Sequence, residues 1–177
     1  MRQDEKVHEE VPAGRSSLLG GARFAERIAA YQAATKRFEE LVASVDRLKL
    51  DVRHPDGWSP RQVIHHLADS EAQSYARLRR LVAEPAGSVI QGYDEAAWAA
   101  SPALGYESDE VDTPLAVFSA VRAGSLAVLQ HLTESDLARH AVHSERGRYT
   151  LEEWLADYTR HPLEHGEQLL KALRGEA

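Results

Sequence analysis

The chain contains no cysteine. That excludes disulfides, thiolate metal sites and a cysteine nucleophile. Any transition-metal site must be built from imidazole and carboxylate. No apolar run is long enough to cross a bilayer. The opening residues, "MRQDEKVHEE", are polar and lack the apolar centre of a signal peptide. A cytoplasmic location, away from membranes, is the expectation. A surplus of positive charge is also missing. The formal net charge is −7, which disfavours broad nucleic-acid binding. There is no internal repeat, no low-complexity block and no convincing alternating strand pattern.

What remains is helical. The 177 residues are 43% hydrophobic, which suits one domain with a sizeable core. Residues 1–20, ending in "GRSSLLGG", read as a flexible tail, and 21–177 as a single domain. The first helix is expected from about Phe24 to Leu48. Phe24, Ile28, Tyr31, Thr35, Phe38, Val42 and Val45 recur every three or four residues on one stripe. The second begins at Ser59, with Pro60 in its first turn, Gln62 completing a capping box, and Trp58 and Val63 as a hydrophobic staple. It runs to about Val82. The third starts at Thr113-Pro114, a cap followed by proline. Leu115, Phe118, Arg122, Ser125, Leu129 and Leu132 line its inner face. The fourth starts at Thr150, boxed by Glu153, with Leu151, Trp154, Tyr158, His161, His165 and Leu169 as its stripe.

The fold class is therefore all-α, most simply a four-helix bundle. A short loop makes helices 1 and 2 antiparallel. The long connection from about Glu84 to Asp112 permits a parallel crossover between helices 2 and 3. The order is then up-down-down-up.

Nine histidines are present. "WSPRQVIHHLADSE" places two of them, His65 and His66, side by side on the second helix, about 100° apart. Val63, His66, Leu67, Ser70 and Ser74 form its inner stripe, so His66 faces inward and His65 lies to one side. His161 and His165 share one face of the fourth helix at i and i+4, the spacing at which two imidazoles can hold one ion. An isolated pair at this spacing is more often two half-buried histidines bonded to neighbours. Here both continue an apolar stripe and face His66. Three neutral imidazoles with small residues nearby are a plausible catalytic metal site with an open position. Because each imidazole must be neutral, affinity is expected to fall steeply as pH drops through the histidine range. His8, His54, His131, His140 and His143 sit in expected loops or helix ends and read as solvent-facing.

Three other side chains are candidates. Arg122 is an inward cation. It either binds a substrate carboxylate or pairs with a buried acid such as Asp69 or Asp157. Glu164 is a general base on a bound water or an exposed helix carboxylate. Tyr158, one turn before His161, lines the pocket or simply packs. "GYDEAAWA", with Tyr93, Asp94 and Trp98, anchors the crossover or roofs the site.

Four stretches, "GWSPRQVIHHLADS", "GYDEAAWA", "HLTESDL" and "YTRHPLEHGEQL", lie between roughly residues 57 and 169. Together they resemble the DinB/YfiT-like superfamily. The resemblance implies an up-down-down-up bundle whose three histidines, here His66, His161 and His165, bind a divalent metal, nickel or zinc. It implies transfer of a low-molecular-weight thiol such as bacillithiol, mycothiol or glutathione to an electrophile. Hydrolysis is the alternative activity, and a non-catalytic metal- or ligand-binding bundle the alternative class. The partners would be a small thiol and an electrophile, with a homodimer as the assembly. The chain departs from the family at Pro162 and Glu164, where members often have further histidines, and at Arg122, where some carry a histidine. Pro162 has no N–H to donate, so it frees the carbonyl of Tyr158.

Overall fold

The structure, a computed structural model, describes the backbone of residues 13–176 and the side chains of residues 21–176. His8 and the first part of the expected tail, residues 1–12, lie outside the described residues. The helices are α1 (Ala13–Ser44), α2 (Pro60–Ala83), α3 (Glu95–Ala100), α4 (Asp112–Leu129) and α5 (Leu151–Leu173). The strands are β1 (Val89–Ile90), β2 (His140–His143) and β3 (Gly147–Thr150). Helix α1 thus begins inside the stretch read as a tail.

The long helices α1, α2, α4 and α5 form the bundle. Their directions follow from which residues meet. Arg27 and Arg37 of α1 pair with Glu152 and Glu167 of α5, so these two run parallel. Arg61 at the start of α2 donates to the carbonyl of Asp109, just before α4, so these two also run parallel. Arg77 of α2 reaches Tyr158, while His66 lies beside His165, so α2 and α5 are antiparallel. The order is up-down-down-up.

Local signals explain where the helices start. Ser59 Oγ accepts from Gln62 N, and Gln62 Oε1 accepts from Ser59 N at 2.9 Å. Two otherwise orphaned amides are satisfied, which anchors the turn that leads to the histidines. Thr150 and Glu153 do the same for α5. Helix α4 departs from expectation. It begins at Asp112, its N-cap is Val111, and no side chain caps it. Thr113 is therefore inside the first turn, where Pro114 is tolerated because early helical amides have no partner.

The inner stripes close the core in two clusters. Phe24, Tyr31, Leu78, Trp154 and Tyr158 belong to one, at the end carrying the sheet. Phe38, Val42, Val63, Leu67, Phe118 and Leu169 belong to the other. Trp58 packs against this second cluster, as a staple to Val63 requires.

The strands were not expected. β2 pairs with β3 as an antiparallel hairpin, and β1, from the crossover, pairs parallel with β2. Runs of two to four residues are too short to show a periodicity. The sheet is a minor addition to a helical fold, but it has a use. It ties the crossover to the turn before α5, so the segment that follows β1 is carried over α2. It also buries His143, read from sequence as solvent-facing, against Tyr149.

Helix α4 has the length and hydropathy of a membrane span and is 28% buried. This differs from the sequence reading. Arg122 sits near its middle, fully buried and paired inside the bundle, which accounts for the helix as a bundle element.

Candidate metal centre

His66 comes from α2, and His161 and His165 from consecutive turns of α5. Their ring centroids lie 5.5 Å (His66 to His161), 4.6 Å (His66 to His165) and 4.4 Å (His161 to His165) apart. One potential ligand nitrogen from each lies within 4.8 Å of the others. His66 is 0% exposed. Both of its ring nitrogens, and Nδ1 of His161, are buried without a hydrogen-bond partner. Orphaned buried nitrogens of this kind call for an explanation. A divalent ion among the three rings would take one lone pair from each neutral imidazole, leaving its N–H for a neighbouring acceptor. Zn–N bonds are about 2.0–2.1 Å, so the donors must close in somewhat from the 4.8 Å within which they lie. The residues present therefore fit a metal.

The surroundings set the rings. His165 Nδ1 lies 2.7 Å from Gln168 Oε1; donating there leaves Nε2 as the free lone pair. Trp58 packs its ring edge-on against His66 at 5.0 Å. Glu95, the first residue of α3, holds Oε2 3.9 Å from His66 Nε2 and is 53% exposed. It stands at the solvent side of the cluster, so the "GYDEAAWA" segment does roof the site. Asp94 caps α3 by accepting from Ala97 N, and Tyr93 packs at a tilt against Trp98. Burial raises the Glu95 carboxyl, against the pull of Arg77.

The other candidates separate. Tyr158 is buried with its ring 5.9 Å from that of His161, and its hydroxyl accepts from Arg77 at 2.8 Å. It lines the inner wall. Arg122 lies behind it. Its Nη1 donates to Glu71 Oε1 at 2.9 Å and to the Tyr158 carbonyl at 2.6 Å, Nη2 to the Tyr31 carbonyl, and Nε to Thr35 Oγ1. Its acid is Glu71, not Asp69 or Asp157. Asp69 accepts from Tyr106, and Asp157 pairs with Arg146 and Arg160. A guanidinium so engaged is a brace of the bundle and not a free receptor for a substrate carboxylate. Glu164 is 59% exposed and paired with Arg160. It reaches the cluster only as a distant negative charge on His165, so its geometry is that of the surface carboxylate and not of the base.

His65 is buried too, on another face. Its ring packs on Tyr106 at 5.4 Å and Nε2 lies 3.3 Å from the Asp109 carbonyl, so it fastens the end of the crossover. Sequence reasoning missed Glu71, Glu95 and Gln168. Glu71 was legible in part. It follows Leu67 by four and precedes Ser74 by three, so it is a carboxylate on an apolar stripe. Glu95 and Gln168 carry no such signal.

Burial pushes His66 down to about 3, helped by the neighbouring His165. Burial, then His165 and His66, pushes His161 down to about 2. Burial also lowers His165, against Gln168 and Glu164. In the folded chain His66 and His161 are neutral well below pH 6.5. The fall in metal affinity on acidification expected from free histidines should therefore be shallower, because His66 and His161 carry few protons to displace. The proton competition moves to folding. As pH drops below 6.5 the unfolded chain protonates His66 and His161 and the folded chain does not, so stability falls. Burial raises Glu71 to about 7 despite Arg122, which opposes this with one proton between pH 7 and its ordinary 4.5. The remaining difference approaches one proton about a unit below pH 6.5, where stability falls by about 1.4 kcal/mol per pH unit. Urea unfolding of metal-free protein across that range measures it. Stability that holds level or rises on acidification would contradict burial of neutral imidazoles.

Comparison with known proteins agrees with this centre. The DinB superfamily profile matches residues 30–169. A protein of Oceanobacillus iheyensis is 31% identical over 126 residues, 70% of each chain. YfiT of Bacillus subtilis is 31% identical over 131 residues, 73% of this chain and 72% of that one. Both are named, provisionally, as metal-dependent hydrolases. The solved structure of Bacillus subtilis YfiT, described as having an unusual four-helix bundle topology, superposes with a TM-score of 0.75 at 25% identity. The match covers 98% of this chain and 95% of that one. With its bundle order, its crossover and its three inward histidines, the chain belongs to the DinB superfamily.

Proposed function

We propose that this protein is a metal-dependent enzyme that delivers a small nucleophile to an electrophilic substrate, with His66, His161 and His165 holding a divalent ion, zinc or nickel. One observation carries the reading: three imidazoles converge in one largely enclosed site, and both ring nitrogens of His66 and Nδ1 of His161 lack protein partners. Held by His66, His161 and His165, such an ion would supply Lewis acidity that lowers the pKa of a thiol or water.

The chain's own residues do the rest. Burial keeps the imidazoles neutral, so they bind as lone-pair donors. Gln168 fixes the His165 tautomer. Trp58 and Tyr158 wall off solvent on the inner sides. Glu95 Oε2, at the open edge with a raised affinity for protons, receives the proton that the nucleophile gives up.

Thiol transfer is the leading form of this reading, supported by the motif resemblance. Hydrolysis is the second, supported by the names of the relatives. Both use the same three ligands. The test is metal analysis of gently purified protein, then assays of the loaded protein. Bacillithiol, mycothiol and glutathione are each paired with a generic electrophile, beside an ester and amide panel. Acceleration by one thiol that chelation abolishes supports transfer, and turnover of the panel without thiol supports hydrolysis. Equal rates with and without metal would overturn metal dependence, and no turnover by the loaded protein in any assay would leave only a binding bundle.

A further inference from the structure

We infer that Glu71 is a positioning residue for His161: its carboxylate, pinned by Arg122, accepts from His161 Nδ1–H and so turns Nε2 toward His66 and His165. The inference rests on the three-histidine reading and extends it to the layer behind the ligands. Nδ1 of His161 is buried without a partner, and Glu71 Oε1 lies 3.9 Å away. A small ring rotation closes that gap. Glu71 is 1% exposed, in the interior where an apolar residue would pack without a desolvation cost. Its position beside a ligand gives the charge a use. Metal-binding histidines commonly donate their second N–H to a carboxylate or carbonyl, which fixes tautomer and orientation. Gln168 already does this for His165.

Arg122 links the acceptor to the helix that carries the ligand. The same Nη1 donates to Glu71 and to the Tyr158 carbonyl. That carbonyl is the one Pro162 cannot bond, because proline has no N–H. One guanidinium therefore holds the acceptor for His161 and also closes the break in the turn on which His161 stands. Arg122 and Pro162 are complementary features of the site.

The first measurement uses the unaltered, metal-free chain. Long-range proton–nitrogen correlation spectra, taken at a pH above the raised value of Glu71, should show His161 as the Nδ1–H tautomer. The Nε2–H tautomer would overturn the inference. The second compares zinc affinity of the unaltered chain and Glu71→Gln by competitive titration, with circular dichroism and unfolding midpoints recorded in parallel. Affinity should fall about 10–100-fold, as for other outer carboxylates. Lower stability with affinity unchanged would show a purely structural role and overturn the inference. Failure of the unaltered chain to bind zinc would overturn the metal site itself, which the tautomer measurement distinguishes. If Glu71→Gln does not fold, the tautomer in the unaltered chain decides.

Discussion

His66→Ala is expected to lose tight metal binding while the bundle stays helical, and His65→Ala to keep it. The two neighbours point about 100° apart on α2. His66 meets both histidines of α5, with ring centroids 5.5 and 4.6 Å away. His65 meets Tyr106 and the Asp109 carbonyl instead. Metal–nitrogen bonds leave little slack, so His65 cannot replace its neighbour without unwinding the helix. The affinity lost in His66→Ala should exceed the about 10–100-fold that removal of an outer partner costs. His65→Ala should cost stability, about 1 kcal/mol for its hydrogen bond, with metal content unchanged. Metal content and affinity of the two variants, measured side by side, decide the matter. An empty His65→Ala and a full His66→Ala would reverse the assignment.

Arg122→Met should destabilise the fold by about 3–5 kcal/mol, the usual cost of breaking a buried pair. It leaves Glu71 buried without a counter-charge and removes the donor to the Tyr158 carbonyl. It also removes a cation centred 3.6 Å over the Tyr31 ring. For a chain of this length the midpoint should drop by about 6–20 °C. The double variant Glu71→Leu/Arg122→Met should regain much of the loss, because no lone charge remains inside. Thermal and denaturant unfolding of the single and double variants test this. A loss below about 1 kcal/mol in Arg122→Met would mean that the pair is not the brace described, since that is what an exposed pair contributes.

The helical stripes, the Ser59 and Thr150 boxes, the parallel crossover and the three inward histidines were all legible in the order of residues. Each is a local pattern. Helical spacing decides which side chains share a face, and a cap acts within four residues of itself. The freed carbonyl of Tyr158 was legible for the same reason, because proline's missing N–H acts one turn back. What takes up that carbonyl was not. Arg122 comes from another helix, 36 positions away, and its acid Glu71 is 51 positions from it. Periodicity says that both face inward and cannot say that they meet. The position of Glu95 over His66 likewise depends on β1 pairing with β2, between strands too short to show in any pattern. Only the packed bundle sets the protonation of the histidines as well. The residues alone suggest ordinary imidazoles, whereas surrounding each ring with α2, α5 and the roof removes the water that would stabilise its charge.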